Sequence, residues 1–447
     1  MNQTKKFSIH RKRGKALGVF ELIAIAVGGM VGGGIFTVLG ISVALVGAYS
    51  PVAIAIGGVI AMLAAYNYVK LGVYFKDEGA TYSFYKKTFP STPFAASLIG
   101  WWVIFGYIST LALYAYTFSS YSISSFSFAG NEIIRKSIAG AIILIFALIN
   151  IWSVKGMGRI EDLMVYTKMT ILAAISILLI YHSDTSLPVL LESNHHATLF
   201  SILIVSSLTF VAYEGFQLVI NAVNEMKNPD LNIPRAIYAA IVLVILIYVI
   251  ISLGAILSIP FKEIIDNKEY ALAAGAKDIM GNTGANLVIA GALLATSSAI
   301  SGTLFGSSRQ ASVIAEDGYF PSFLAIRKNS IPVYAIISMA LFSFGLILIG
   351  NLEVILEFGS ITFILVSWLM AFANLKIRDK TNSSLAIIVI SLIGLFLGAS
   401  LIVYYEVNSD IKQIYFTCII YFVLTLGAWL YSKFENKKVE KNVHTKQ

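Results

Sequence analysis

Apolar runs of about 20 residues recur along the whole chain between short polar segments, and about 20 is the helix length that a bilayer core requires. Twelve such runs are marked, at residues 17–46, 51–75, 94–125, 137–154, 160–181, 198–225, 235–258, 284–315, 331–350, 353–375, 383–405 and 411–432. A span in lipid must satisfy its own backbone groups, so the pattern predicts helices. The expected fold class is an all-α integral membrane protein of 12 transmembrane helices.

Two runs carry interruptions. In the first, Gly28-Gly29-Met30-Val31-Gly32-Gly33-Gly34-Ile35-Phe36 holds five glycines within seven residues. Each weakens a helix by roughly 1 kcal/mol relative to Ala. Gly28 or Gly32 could seat a neighbouring helix in a small-xxx-small contact. Alternatively the helix breaks there, and its freed backbone groups face a substrate cavity near the midplane. In the sixth run, Phe210-Val211-Ala212-Tyr213-Glu214-Gly215-Phe216 brings a carboxylate and a glycine together at similar depth. Five spans, an odd number, separate the two breaks, so the second unit is inverted relative to the first. Interrupted spans at matching positions of inverted repeats point to a transporter binding site. The expected division is 17–182 (helices 1–5), 198–378 (helices 6–10) and 383–432 (helices 11 and 12), with tails 1–16 and 433–447. The repeat rests on span count and break position, not on residue similarity between the halves.

Composition agrees with the pattern: hydrophobic residues make up 57%, charged residues 13%, and mean hydropathy is +0.81. The net charge of +8 is distributed as in a membrane protein rather than a nucleic-acid binder. With both termini inside, only Arg135, Lys136, Lys262, Lys268, Lys277 and Lys412 of the 32 Lys and Arg fall in external segments. That is the positive-inside bias, and moving the count by one span reverses it. Lys5, Lys6, Arg11, Lys12, Arg13 and Lys15 read as a retained cytoplasmic tail. The expected location is the cell membrane, with the bilayer as partner. The single cysteine, Cys418, excludes an internal disulfide.

Lys168 lies deep within a span, roughly 12 Å beyond the start of the fifth at ~1.5 Å per residue. An ammonium there costs about 3 kcal/mol on the translocon scale, so it must face protein partners or lose its proton. It is either a structural lysine on backbone carbonyls or a proton-binding coupling site. Glu214 is a second intramembrane titratable group, for proton or cation handling or for bonding across the broken helix. Thr296, Ser297, Ser298 and Ser301 form a hydroxyl cluster in the eighth run; facing Lys168, they would make a cation or proton site. Tyr107 is the third-span aromatic nearest mid-depth, a candidate to line a cavity. Asp184, Glu192, His195 and His196 read as a solvated loop, not a metal site. Glu353 and Glu357 are expected near the external surface, and the lysine-rich segment after Tyr431 as a disordered tail. No persuasive nucleophile–base pair appears in the spans, so an enzyme is not expected.

Several segments resemble the amino acid–polyamine–organocation (APC) superfamily of permeases, over essentially the whole chain. They are Gly28–Phe36, Leu71-Gly72 with Glu78-Gly79-Ala80-Thr81-Tyr82, and Phe210–Phe216. Glu225–Ile237 is similar to the family's E-x-x-N-P-x-x-x-I-P-x-x-I pattern, and Arg309, Asp317-Gly318 and Pro321 to its R-x(7)-D-G-x-x-P pattern. Phe75-Lys76 departs where many members carry proline, and Asp230-Leu231 where a basic residue is common. The resemblance implies a LeuT-type fold, a 5+5 inverted repeat with discontinuous helices 1 and 6 plus two further helices. It implies a substrate carboxylate on the N–H groups of Gly32, Gly33 and Gly34, at a positive helix start. The ammonium would meet carbonyls around Ala26, Val27 and Gly28 and those near Phe210 and Tyr213; Val31, Glu214 and Gly215 are further expected substrate-binding residues. Phe210 matches an aromatic lid, and Tyr107 a substrate-contacting position. Lys168 matches the lysine of proton-coupled, ApcT-like members, whose ammonium fills the sodium site of sodium-coupled relatives. It would reach the Gly28 carbonyl and the Ser297 or Ser298 hydroxyl, with the proton as coupling ion and no cofactor. Glu214 resembles a glutamate of cationic amino acid and polyamine exchangers. The expected function is amino acid import by proton symport and alternating access; the alternative is proton-independent exchange of cationic amino acids or polyamines.

Overall fold

The computed structural model describes residues 17–444 except 153, 184, 185, 188, 189, 191–196, 268, 269, 329, 351 and 410, and side chains outside 154–162, 411–413 and 434–444. The basic tail before Leu17, the side chains of Arg159, Glu161 and Asp162, the loop residues Asp184, Glu192, His195 and His196, and Lys268 and Lys412 lie outside that description.

In chain order the helices begin with α1 (Val19–Met30), α2 (Gly34–Val46), α3 (Ser50–Phe75), α4 (Ala80–Thr88), α5 (Pro93–Ile123) and α6 (Glu132–Trp152). Next come α7 (Val154–Tyr181), α8 (Leu199–Leu208), a 3₁₀ turn at Thr209–Tyr213, α9 (Leu218–Asn221), α10 (Pro229–Ser258) and α11 (Phe261–Asp266). The last are α12 (Ala271–Glu316), α13 (Val333–Ile349), α14 (Leu352–Lys376), α15 (Arg378–Thr381), α16 (Leu385–Ser409) and α17 (Ile411–His444). Among the described residues nine stretches are long and apolar enough to cross a membrane, with α1 and α13 shorter but apolar. The chain is an all-α membrane protein.

Proline sets several starts: Pro51, Pro93 and Pro229 stand in the first turns of α3, α5 and α10, where a missing N–H costs nothing. α10 therefore begins at Pro229, after Asn228 in the left-handed region (φ 42°), not at Arg235 as expected. Pro234 lies inside the helix. α12 is kinked at Gly281, whose φ of 64° and ψ of −161° are open to glycine alone.

One other expectation is corrected: the segment after Tyr431 continues α17 as helix to His444. Glu357, early in α14, is buried within the bundle. α16 and α17 lie at the periphery, turning Ile393, Phe396, Ile419 and Phe422 outward. The core instead collects around the two broken helices and α5, α10 and α12.

Candidate functional site

The first break falls between α1 and α2. α1 keeps helical geometry to Met30, Val31 turns away (φ −83°, ψ 78°), and α2 starts at Gly34. Ala26, Val27 and Gly28, expected at the break, thus belong to the helix, and the non-helical residues are Val31, Gly32 and Gly33. A helix end leaves its last carbonyls without intrahelical partners. Here each is met: Val27 O by the Val31 N–H at 2.9 Å, and Gly29 O by the Tyr114 hydroxyl at 3.1 Å. Met30 O receives the Gly32 N–H at 2.9 Å and the Tyr248 hydroxyl at 2.8 Å.

The remaining two carbonyls belong to Lys168. Fully buried on α7, it directs Nζ to Val31 O at 2.6 Å, Gly28 O at 3.2 Å and Ser298 Oγ at 2.6 Å. Of the two serines expected, Ser298 is the partner; Ser297 is buried beside it, and Thr296 bonds back to Ala292 O at 2.7 Å. The lysine joins three elements, holding the end of α1 against α7 and α12.

The second break follows the 3₁₀ turn that contains Phe210 and Tyr213, both fully buried. Glu214 is extended (φ −67°, ψ 140°), and Gly215 takes φ +124°, which a side chain tolerates poorly. The chain then resumes through i+3 bonds such as Leu218 N–H to Gly215 O, 3.0 Å. Gln217 works across this gap, accepting the Gly215 N–H at 3.2 Å and donating to Tyr107 Oη at 3.0 Å and to the Glu214 carboxylate. The other Glu214 oxygen, Oε1, is buried without a hydrogen-bond partner. Tyr213 reaches across to Ile54 O at 2.8 Å.

The two breaks touch. A Cβ on Gly215 would stand 2.5 Å from the Gly29 carbonyl carbon, and one on Gly34 would stand 2.8 Å from Ala212 Cα. Gly32 abuts Ala299 and Tyr114, and Gly33 abuts Thr117. Close packing and a broken helix, posed as alternatives by the sequence, are both present. Tyr248 on α10 lies between the breaks, 2.8 Å from Met30 O and 3.0 Å from Ala212 O, one hydroxyl hydrogen serving both.

At the Leu17 end of the bundle, distant motifs meet. Gln310 donates to Gly79 O at 3.2 Å, and Tyr82 to Asp317 at 2.9 Å, with Lys86 also 2.8 Å from Asp317. Asn221 donates to Glu78 O at 2.7 Å. Leu17 pairs with the chain after α9, through Leu17 N–H to Glu225 O at 3.1 Å and Lys227 N–H to Leu17 O at 2.9 Å.

Sequence reasoning passed over Tyr114, Tyr248 and Gln217. A tyrosine amid the aliphatic residues in the second half of α10 was the available signal for Tyr248, and the amide beside the second break was the signal for Gln217.

Two broken helices in contact with each other, the first bonded to a buried lysine, inside an all-α membrane bundle, define the class of membrane permease. Residues 17–431 match the family model described as amino acid permease, and the chain belongs to that family, within the APC superfamily. It is 28% identical to an uncharacterized protein of Methanocaldococcus jannaschii, over 97% of this chain and 99% of that one. It is 27% identical to the inner membrane transport protein YbaT of Escherichia coli (86% and 88% covered). With the serine/threonine exchanger SteT of Bacillus subtilis it shares 24% identity, over 69% of each chain.

Proposed function

We propose that this permease imports amino acids by proton symport, with Lys168 as the proton-binding group and alternating access as the mechanism. The observation that carries the reading is the bonding of Lys168 to Gly28 O, Val31 O and Ser298 Oγ together. Loss of the lysine proton alters the group that fastens the end of α1 to α7 and α12, so proton release and helix movement become one event. A ligand shifts a conformational equilibrium only through its different affinity for the two states. The lysine site supplies such a difference for protons.

The substrate carboxylate binds at the start of α2, on N–H groups of Gly33 and Gly34 and on that of Gly32 once it leaves Met30 O, where the helix end carries partial positive charge. The ammonium binds on carbonyls of the two breaks. Because Gly29 and Gly215 are in contact in this conformer, substrate entry parts the breaks. The membrane arrangement in this reading is 12 spans in the cell membrane, both termini cytoplasmic, with helices 1–5 and 6–10 as inverted repeats and no enzymatic step.

A second reading is proton-independent exchange of cationic amino acids or polyamines. The buried, unpartnered Oε1 of Glu214 favours it, because an ammonium side chain would satisfy that oxygen. One experiment separates the two. Proteoliposomes holding the full chain are given an inward proton gradient, and uptake of alanine, leucine, arginine and putrescine is followed. Gradient-driven uptake of neutral amino acids supports symport; arginine–putrescine exchange indifferent to the gradient overturns it.

A further inference from the structure

Gln217, beside the second break, uses its entire amide. The Gly215 N–H can only donate, so the Gln217 atom 3.2 Å away is the oxygen, which fixes the amide's orientation. Its nitrogen therefore faces Tyr107 Oη at 3.0 Å and Glu214 Oε2. An amide nitrogen donates and does not accept. Tyr107 is thus the acceptor in that bond, and its own hydrogen is left for another group. No second partner for the Tyr107 hydroxyl stands among the described residues. Glu214 Oε1 is likewise buried and unpartnered. One desolvated donor and one desolvated acceptor remain, held close together because both residues grip the same nitrogen.

Leaving such groups unpaired forfeits the hydration they would have in water with nothing in return. A hydroxyl group satisfies both at once, accepting from Tyr107 and donating to Glu214. An ammonium only donates, and a carboxylate only accepts and meets a like charge. We propose that Gln217 is a positioning residue that turns Tyr107 and Glu214 into a port for a hydroxyl group, brought by a hydroxylated amino acid substrate or by water. The proposal rests on the amino acid permease reading and names a substrate feature within it.

The test uses the full chain in proteoliposomes, with labelled alanine as tracer and threonine against its isostere valine as competitors. If the substrate brings the hydroxyl, threonine competes roughly tenfold better than valine in the wild type, since a site built for a hydroxyl rejects the analogue lacking it. That preference falls toward unity in Tyr107→Phe and in Gln217→Met, whatever the change in the maximal alanine rate. A merely structural Gln217 lowers the rate for all substrates and leaves the ratio unchanged, which overturns the proposal. Gln217→Glu, nearly the same size, supplies the ratio should Gln217→Met fail to fold. If water brings the hydroxyl, threonine and valine compete equally. Tyr107→Phe and Gln217→Met then raise the alanine KM by a similar factor, and the double variant raises it no further. Equal competition with additive effects overturns the port, as does lysine or putrescine outcompeting threonine. Absence of any amino acid uptake by the wild type instead removes the permease reading itself.

Discussion

The Lys168 ammonium nitrogen stands 2.6 Å from the Val31 carbonyl oxygen, at the residue where α1 loses helical geometry. Its other two partners are acceptors as well. Gly28 O can only accept, and Ser298 Oγ spends its hydrogen on Ala295 O at 3.1 Å. Three acceptors thus face the three N–H bonds of an ammonium. Lys168→Ala is expected to lower gradient-driven uptake about tenfold or more while leaving exchange within a few fold, because a gradient acts only through a state-dependent proton site. Gradient-driven uptake surviving in the variant would remove Lys168 from the coupling.

Tyr248 predicts a different loss. Its hydroxyl is shared between Met30 O in the first break and Ala212 O in the second. Tyr248→Phe keeps the ring against Tyr213 but withdraws the hydrogen shared by the two carbonyls, of which Met30 O keeps the Gly32 N–H. A buried carbonyl left unpaired costs about 1–3 kcal/mol. The variant should melt a few degrees lower and transport more slowly, with coupling to the proton gradient intact. An unchanged melting temperature would show that another donor takes its place.

Much of this architecture was legible in the sequence because membrane helices announce themselves by run length, and intramembrane Lys168 and Glu214 by their cost. The position of the first break was less legible. Gly28 and Gly29 remain helical, since a glycine that admits a neighbour's backbone offsets part of its propensity loss through packing. The cross-links were not legible at all. Tyr248 lies 218 positions from Met30, and nothing local marks a tyrosine that bonds a carbonyl over one that only packs. Lys76 and Asp230, each a departure from the family pattern, prove to be partners at 2.7 Å. Both are exposed, so the pair contributes at most about 1 kcal/mol, and removing it should leave transport unchanged.

The glycines of the two breaks should differ sharply in tolerance. Gly215 combines φ +124° with a virtual Cβ 2.5 Å from the Gly29 carbonyl carbon and 2.7 Å from Met30 N, both backbone atoms that cannot rotate aside. Gly215→Ala and Gly29→Ala are therefore expected to abolish uptake. Gly345 in α13 has open space around its Cβ position, so Gly345→Ala should be neutral or stabilising by up to about 1 kcal/mol. Gly281 has the same open space but φ +64°, and Gly281→Ala should cost only backbone strain, about 1 kcal/mol. Uptake and melting temperature of the four variants give the ranking; active Gly215→Ala protein would mean that transport does not need the closed contact between Gly215 and Gly29.

Asp77 predicts a pH signature outside the membrane-spanning helices. Burial works against its charge, but Lys87, the Gly79 N–H at 2.8 Å and Ser83 prevail and hold the carboxyl below the usual carboxylate range. A carboxyl lowered on folding stabilises the native state above its unfolded pKa of about 3.9, and loses that contribution as pH falls through the folded value. Asp77→Asn keeps an acceptor for Gly79 but gives up the pairing with Lys87. Its deficit at pH 7 should be about 1 kcal/mol, read as a melting temperature a few degrees below wild type. The gap should narrow as pH falls below about 4, where wild-type Asp77 also begins to take up its proton. A gap that stays constant across that range would mean that shape rather than charge carries the contribution. Asp77 opens the turn that places Gly79 against Gln310 and Tyr82 against Asp317, so the same variant should also loosen those contacts. Transport in Asp77→Asn is then expected to decline in parallel with stability and to recover under acid conditions only as far as the wild type itself declines.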